Sequence, residues 1–600
     1  MSEETIHKVF IEQVEKRGDK TFLIHKHGGR WQHVSWNKVG EKVKHLSLGL
    51  IALGVQKGDR VTAISETRPE LAYCSLAIVT AGAIFSAIYH TNSPKECAYI
   101  INNLEAKIVF AEDEGQLDKL KEIWGKTPSL EMIITFENLG RQDDERIMSL
   151  DQLFELGYQE LLKNGDGGYY ERISAVRPDD VLEIIYTSGT TGTPKGVMES
   201  NRGLIRTITE FNKFHPFSKK DIGISFLPMA HALELRQGHW NHIYYGFPQI
   251  YAQSVKTVFQ DICETQPTFI SSPPRFLEKH YNNFLGIIED MPRWKKKIVD
   301  RGIRSGLRLQ TMREPLNKRI LYPYYFFRYL IASLLFFRRV RKTVGKKLRF
   351  IITGGAPVPA KIVEFFRAMG FPIYETYGLT ESQGLVSISY KGANKIGASG
   401  KPADGLDVKI AEDGEILVKG WARCVGYWND PQATDELFRE GWLHTGDIGF
   451  VDEEGFLHIT DRKKDIIITS SGKNITPSNI ENLLKASRYI SQAVVIGEGR
   501  KYLTALVTLD RDEVTRYAEK KGITFSEFSD LTKKREILDL IDREIDERNR
   551  ELARIEQIKK FTILDKEFQQ SDEEMTPTLK VKRRIFEQKY KDWIEAMYTE

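Results

Sequence analysis

Between an apolar run, Val181 to Tyr186, and a polar stretch, the chain places Tyr186-Thr-Ser-Gly-Thr-Thr-Gly-Thr-Pro-Lys-Gly-Val197. Three glycines, five Ser/Thr residues and one lysine fall within this segment. A strand that ends in such a loop offers backbone N–H groups, hydroxyls and one cation to a single point, which is chemistry suited to a polyphosphate. The spacing is not that of a Walker loop, because no Gly-Lys-Ser/Thr triplet leads into a helix. Clusters of Gly, Ser and Thr also make ordinary loops. The order of residues and the single lysine favour phosphate.

Three further stretches combine residue types that do chemistry. Tyr374-Glu-Thr-Tyr-Gly-Leu-Thr-Glu-Ser382 follows an apolar strand and holds an aromatic, a threonine and a carboxylate in close succession. Trp442-Leu-His-Thr-Gly-Asp-Ile448 puts an aspartate after a tight glycine. Asp461-Arg-Lys-Lys-Asp-Ile466 places a cationic cluster before the glycine loop Ser470-Ser-Gly-Lys-Asn-Ile-Thr-Pro477. Taken singly, each also reads as a turn with solvated charges.

The elements that must position these residues alternate. Trp36 to Gly54 carries apolar residues at helical spacing (Val39, Val43, Leu46, Leu50), Arg60 to Ser65 reads as a buried strand, Leu71 to Ala81 as helix and Ala106 to Ala111 as strand. That rhythm predicts βαβ units around a largely parallel sheet. A second series runs from Phe269 to Tyr374, with Leu348 to Thr353 its clearest strand. From about Gly397, short runs at Asp407–Ile410, Glu415–Val418 and Gly455–Ile459 alternate with Gly/Asp turns, as in a small antiparallel barrel or sheet. Beyond the charge cluster the pattern is mixed, with strands at Ala493–Ile496 and Thr504–Thr508. Ile537, Ile541, Ile545, Leu552 and Ile555 line one face of a charged helix, and Gln569 to Thr578 reads as a mobile loop. The predicted class is α/β: a large N-terminal domain, 1–461, of two βαβ-type subdomains plus a small β-barrel. A hinge at 462–465 and a smaller, mobile α+β domain, 466–600, follow it.

A chain of 600 residues exceeds one core. A net charge of +4 gives no global sign of a nucleic-acid partner. Four scattered cysteines without a CxxC pair argue against a disulfide framework or zinc site and fit a reducing cytosol. The acidic start Met1-Ser-Glu-Glu-Thr predicts no secretory signal, and no apolar run reaches the ~18 residues of a spanning helix. The expected location is the cytoplasm.

In their order, these motifs closely resemble the adenylate-forming (AMP-binding, acyl-CoA synthetase) superfamily, over about Val9 to Lys591. Arg68-Pro-Glu70, Tyr89-His-Thr-Asn-Ser-Pro94, Pro273 to Lys279 and Thr576 to Arg583 look like its long-chain fatty acid–CoA ligase branch. The resemblance implies a two-step reaction using ATP, Mg²⁺ and CoA. A fatty carboxylate becomes acyl-AMP with release of pyrophosphate, and CoA then displaces AMP.

It also implies roles for individual residues. Thr187, Ser188, Gly189, Thr190, Thr191, Gly192 and Lys195 would hold the β- and γ-phosphates, and Gly354, Gly355 and Ala356 would lie along the adenine. Glu375, Thr376 and Gly378 would flank Tyr377, which would stack on the ring. Thr380 would bond the α-phosphate, Glu381 (with Thr191) would serve Mg²⁺, and Asp447 and Arg462 would meet the ribose. His231 would sit beside the acyl pocket, with a buried structural histidine as the alternative. Lys464 would be the hinge residue, Ser471, Gly472 and Lys473 would line the CoA tunnel, and Lys580 would be the catalytic lysine. Two departures stand out: Glu199-Ser-Asn201 replaces the more usual Leu/Ser-Thr/Ser-His, and Leu235 stands where the family often has Arg.

Between Pro315 and Phe350 lie ten Lys/Arg and no Asp or Glu, around the apolar, aromatic run Leu321 to Phe337. This fits a helix lying on an anionic membrane surface and equally a helical pair packed internally. Three other functions are weighed against the long-chain CoA ligase: a fatty acyl-AMP ligase loading a carrier protein, a CoA ligase for another hydrophobic carboxylic acid, and a non-catalytic lipid-binding or scaffolding protein that keeps the fold. The intact motifs and the uninterrupted Ser471-Gly472-Lys473 loop favour the CoA ligase. Acyl length, oligomeric state and pathway are not legible.

Overall fold

The computed structural model describes residues 4–140, 144–187, 193–311, 322–568, 574–575 and 581–599. Thus Ser188–Gly192, Lys580 and most of the loop expected at 569–578 lie outside the described residues.

The βαβ rhythm yields an eight-stranded sheet. Its order is Gly426–Tyr427, Lys195–Ser200, Val181–Thr187, Ile84–Ile88, Arg60–Ile64, Ile108–Ala111, Met132–Thr135, Ile147–Ser149. The six strands from Val181–Thr187 to Ile147–Ser149 run parallel; Lys195–Ser200 turns back antiparallel and so ends the parallel run beside the candidate phosphate loop. Strands such as Ile84–Ile88 are buried at every position, as central parallel strands covered on both faces must be. The helix Trp36–Ala52 starts where the Ser35 hydroxyl accepts the Lys38 N–H at 3.3 Å, and it buries the stripe Val39, Val43, Leu46 and Leu50.

The second series forms a five-stranded sheet. Phe269–Ser272, Phe350–Thr353 and Ile373–Tyr377 are parallel, and two short antiparallel strands follow. A mixed four-stranded sheet joins Thr21–His27 and Arg30–Ser35 to Gly223–Ser225 and Gln249–Tyr251. Its partners are some 200 residues apart in sequence, which no local pattern announces.

The region expected as a small barrel is an antiparallel sheet in the order Leu406–Ile410, Glu415–Gly420, Trp442–Val451, Phe438–Arg439, with Leu457–Arg462 also pairing to Trp442–Val451. No pairing closes it among the described residues; the end strand Phe438–Arg439 is two residues long, too short to seal a ring.

Beyond Asp461 stand a two-stranded hairpin (Ile467–Ile468, Asn474–Ile475) and a three-stranded sheet (Ile490–Ile496, Leu503–Leu509, Ile558–Ile563) with helices against it. The charged helix runs only from Arg535 to Asn549, so Leu552 and Ile555 fall outside it, and Ile555 is exposed. Asn549 ends it: its amide oxygen accepts the Ile558 N–H and its NH₂ donates to the Ile558 carbonyl, both at 2.9 Å, turning the chain into the next strand.

This unit meets the rest of the chain through polar contacts: Lys361–Glu551 at 3.0 Å, Lys520–Asp290 at 3.2 Å, and Arg275 to the Ser491 carbonyl at 3.1 Å. At the junction, the Ser478 hydroxyl donates to Asp461 at 2.7 Å. All four cysteines are free.

Candidate active site

Three chain segments leave the carboxyl ends of parallel strands, one in the eight-stranded sheet and two in the five-stranded one, the end at which open α/β sheets take ligands. Thr187 ends the first, and its hydroxyl donates to the Lys195 carbonyl at 3.4 Å across the hairpin. The Lys195 ammonium stands 3.6 Å from Asp430 and 5.0 Å above the Tyr427 ring, on an exposed flank. Gly354, Gly355 and Ala356 leave the strand Phe350–Thr353. A Cβ on Gly354 would lie 2.8 Å from the Thr376 hydroxyl oxygen, so only glycine fits between these two segments.

The third segment leaves Ile373–Tyr377 and makes a single 3₁₀ turn, Thr380–Ser382. Here a Cβ on Gly378 would meet the Gly384 backbone at 2.3 Å, so the chain crosses itself closely. The Glu381 carboxylate accepts the Tyr427 hydroxyl at 2.8 Å, and the Glu381 carbonyl accepts the Cys424 N–H at 2.8 Å. The buried Tyr377 hydroxyl donates to Asp447 at 2.7 Å, joining the five-stranded sheet to the antiparallel one. Burial, reinforced by that carboxylate, holds the phenol far above its usual range, so it stays a donor. Arg462, half-exposed, reaches the other Asp447 oxygen at 2.9 Å.

Thus Lys195, Tyr377, Thr380, Glu381, Asp447 and Arg462, which come from four separate stretches of sequence, converge. Asp447 and Arg462 are cross-strand partners in one register. Sequence reasoning missed Tyr427, although a strand-ending Gly426-Tyr427-Trp428 beside turns was a readable signal. It also missed the carboxylate of Glu183 inside the largely apolar strand Val181–Thr187, and it noted Glu199 only as a departure, without the partner that a buried charge requires. His231 precedes a π-helical segment, Glu234–Trp240, and its Nδ1 accepts the Leu233 N–H at 3.2 Å.

The residues implied for the second half-reaction lie in the turn after Arg462 and in the hairpin that follows it. Lys464 is exposed in the turn after Arg462. Ser471–Lys473 form the tip of the Ile467–Ile475 hairpin, whose hydrogen bonds run to Thr469: Gly472 N–H to its carbonyl at 2.8 Å, Lys473 N–H to its hydroxyl at 3.2 Å. Gly472 has φ +73° with open space around an added Cβ. Leucine there is therefore opposed by backbone strain and not by a clash in this arrangement.

Mg²⁺ takes one or two carboxylates together with phosphate oxygens and water, not an all-protein cage. Half-buried Glu381, at the mouth of the cluster, fits that requirement. No group of three or more His/Cys/Asp/Glu side chains that could hold a metal ion is found among the described residues.

Glu375 is buried, and burial pushes its carboxyl up to about 7, against the opposing pull of Arg367. The sign follows from linkage. Stability tied to the protonated form is complete below the unfolded value near 4.5 and is lost as pH rises through about 7. Glu375→Gln, neutral at every pH, is expected to gain on wild type across that interval, reaching about 1–3 kcal/mol at pH 8. Melting curves at pH 5 and pH 8 check this; an equal offset at both would refute it.

With this geometry in hand, the comparisons are direct. The model for AMP-binding enzymes matches residues 10–428, and that for the AMP-binding enzyme C-terminal domain matches 464–600. The long-chain-fatty-acid–CoA ligase FadD15 of Mycobacterium bovis is 34% identical, covering 97% of this chain and 96% of its own. The long-chain-fatty-acid–CoA ligase ACSBG2 of Xenopus laevis is 31% identical over 99% of this chain and 84% of its own. The crystal structure of the adenylation domain of a carboxylate reductase from Mycobacterium chelonae shares the fold, with a TM-score of 0.74 and 19% identity over 100% of this chain and 92% of that one. The chain belongs to the AMP-binding enzyme family, and it is similar along nearly its whole length to proteins named long-chain-fatty-acid–CoA ligases.

Proposed function

We propose that the protein activates a long-chain fatty acid and transfers it to CoA. A carboxylate oxygen attacks the α-phosphorus of ATP and the bond to pyrophosphate breaks, giving acyl-AMP. The CoA sulfur then attacks the acyl carbonyl and AMP leaves with the pair of electrons. The observation that carries this reading is the convergence of Lys195, Tyr377, Thr380, Glu381, Asp447 and Arg462 in a chain related to such ligases from end to end.

In this reading Lys195 and the Thr187–Gly192 loop neutralise the outgoing pyrophosphate, and Thr380 donates to the α-phosphate. Asp447 takes the ribose hydroxyls, with Arg462 alongside. Mg²⁺, when bound through Glu381, supplies charge neutralisation on the phosphate oxygens. Donors fixed in advance stabilise charge as it develops without reorganising. Lys580 supplies the cation shared by substrate carboxylate and α-phosphate.

The unit after 462–465 is proposed to turn about Lys464 between half-reactions. Its contacts to the large domain include exposed ion pairs, each worth about 0–1 kcal/mol. Turning would bring Gly472 to the thiol path. Gly472→Leu is then expected to keep pyrophosphate exchange and lose thioester formation; unchanged thioester output removes Gly472 from that path.

A screen of pyrophosphate release across acids of increasing length, with and without CoA, tests the whole. Release with AMP and acyl-AMP but no thioester would favour loading of a carrier protein. No release with any acid would end the reading.

We also propose contact with an anionic membrane. The helix Tyr322–Ala332 and the π-helical Ser333–Phe337 bury Tyr325, Ala332, Phe336 and Phe337 against their neighbours, while Tyr324, Phe327 and Leu334 are more than half exposed. Trp294 is exposed on Arg293–Thr311, the helix that packs against them, and the exposed Lys296, Lys297, Arg338 and Arg339 add charge nearby. No helix among the described residues is long and apolar enough to cross a bilayer. Aromatic side chains beside cations suit the headgroup layer. Co-sedimentation with phosphatidylserine vesicles is the expected result, weakened in Phe327→Ser/Leu334→Ser; equal recovery in the supernatant with and without vesicles would refute it.

A further inference from the structure

The two departures noted in the sequence turn out to bear on one place. Glu199 lies fully buried in the return strand of the hairpin, and Arg236, only 3% exposed, lies in the π-helical segment Glu234–Trp240. The guanidinium forks onto the carboxylate, with Nε 3.2 Å from one oxygen and Nη2 on the other. The same Nη2 donates to the Thr380 carbonyl at 3.4 Å. Leu235 stands where the family often has Arg, and the cation comes instead from the next residue. A π-turn spends one more residue per turn than an α-turn, so it shifts which side chain faces a given neighbour.

The surroundings are built to this guanidinium. Gly384, at φ +79°, leaves room that a Cβ would close at 2.4 Å from Arg236 Nη1. Gln383 adopts φ +54°, and its amide donates to the Arg423 carbonyl at 2.8 Å. A Cβ on Gly203, in the helix after Glu199, would strike that amide at 1.9 Å. The turn that carries Thr380 and Glu381 is thus wedged between three elements. From the other side, Val425 N–H reaches the Met198 carbonyl at 3.0 Å and Cys424 N–H the Glu381 carbonyl at 2.8 Å, tying the turn to the hairpin strand.

We propose that Arg236 is a positioning residue: by binding Glu199 and the Thr380 carbonyl together, it fixes the Thr380–Glu381 turn against the phosphate-loop hairpin and so sets where the Glu381 carboxylate presents itself to Mg²⁺-bound nucleotide. The assignment rests on the adenylation reading above. Glu183, also fully buried, adds negative charge near Arg236 while accepting the Trp240 indole N–H at 2.7 Å.

Removing Arg236 alone strands the buried Glu199 charge and threatens folding, whereas replacing both partners by apolar residues is often neutral for stability. The test therefore compares wild type, Arg236→Lys, and the pair Glu199→Leu/Arg236→Met. Three measurements are made on each: melting temperature, Mg²⁺ dependence of acid-dependent pyrophosphate exchange into ATP, and hydrogen exchange over 379–385. The pair is expected to melt near wild type, to need about 10-fold to 100-fold more Mg²⁺ for half-maximal exchange, and to lose protection over 379–385. Arg236→Lys, which keeps charge without the fork, is expected to show the same two changes more weakly and decides the matter if the pair does not fold. A folded variant with wild-type Mg²⁺ requirement and wild-type protection would overturn the proposal and leave a core ion pair only. Wild-type protein that exchanges no pyrophosphate would instead overturn the adenylation reading itself.

Discussion

In the Lys580→Ala protein, acid-dependent exchange of pyrophosphate into ATP is expected to fall by about 10²–10³-fold, while thioester formation from preformed acyl-AMP and CoA persists. The asymmetry follows from where charge develops. In the first half-reaction, negative charge grows on the α-phosphate oxygens as the carboxylate arrives, and in the proposed role a lysine shared between them would act on that transition state alone. In the second, the charge lies on the acyl carbonyl and the leaving AMP. The neighbours of Lys580 serve as controls, because their side chains are already engaged. Lys582 stands 3.9 Å from Glu96 of the large domain, and Arg583 binds Glu481 at 2.7 Å and the Val495 carbonyl at 2.6 Å. Lys582→Ala should therefore leave exchange close to wild type. Equal loss of both half-reactions in Lys580→Ala would remove its assignment.

Asp447→Asn is expected to lower kcat/KM for ATP by about 10²–10³-fold, since hydrogen bonds to a charged group contribute about 1.5–3 kcal/mol each and the ribose offers two. The carboxylate is held from behind by the Tyr377 hydroxyl at 2.7 Å and from the side by Arg462 at 2.9 Å. An asparagine keeps the shape but has one acceptor and cannot take both ribose hydroxyls and both of these donors. The measurement that isolates the role is the comparison of ATP with 2′,3′-dideoxy-ATP. Wild type should discriminate strongly and Asp447→Asn hardly at all. Undiminished discrimination in the variant would place the ribose elsewhere. Folding should change by only about 1 kcal/mol, because Arg462 is half-exposed and regains water.

How legible the site was depended on the range of the interaction. The stretches that hold Thr187, Lys195, Thr380 and Glu381 stood out because a tight turn or a phosphate loop sets residue types at consecutive positions. Asp447 and Arg462 were readable as separate motifs, but their meeting depends on antiparallel register across an intervening turn, which the motifs do not encode. Tyr427 and Arg236 passed unnoticed, since each has meaning only through a partner far along the chain: Glu381 for one, Glu199 and Thr380 for the other. The extension of the charged helix to Ile555 failed for a local reason. Apolar spacing continued past Asn549, but the asparagine side chain had already paired with the backbone of Ile558. Acyl length stayed unreadable because an apolar wall can be made from many residues in many orders.

The sequence alone determined the class of fold, through strand and helix periods that local sterics enforce, and the class of chemistry, through contiguous motifs whose glycines, hydroxyls and charges need one another at short range. Only the tertiary structure decided which of those motifs share a site and which side chains brace them. It also decided that the basic aromatic stretch packs one face and exposes the other. These outcomes rest on contacts between residues tens to hundreds of positions apart, where packing and buried-charge pairing choose among partners that no local pattern can rank.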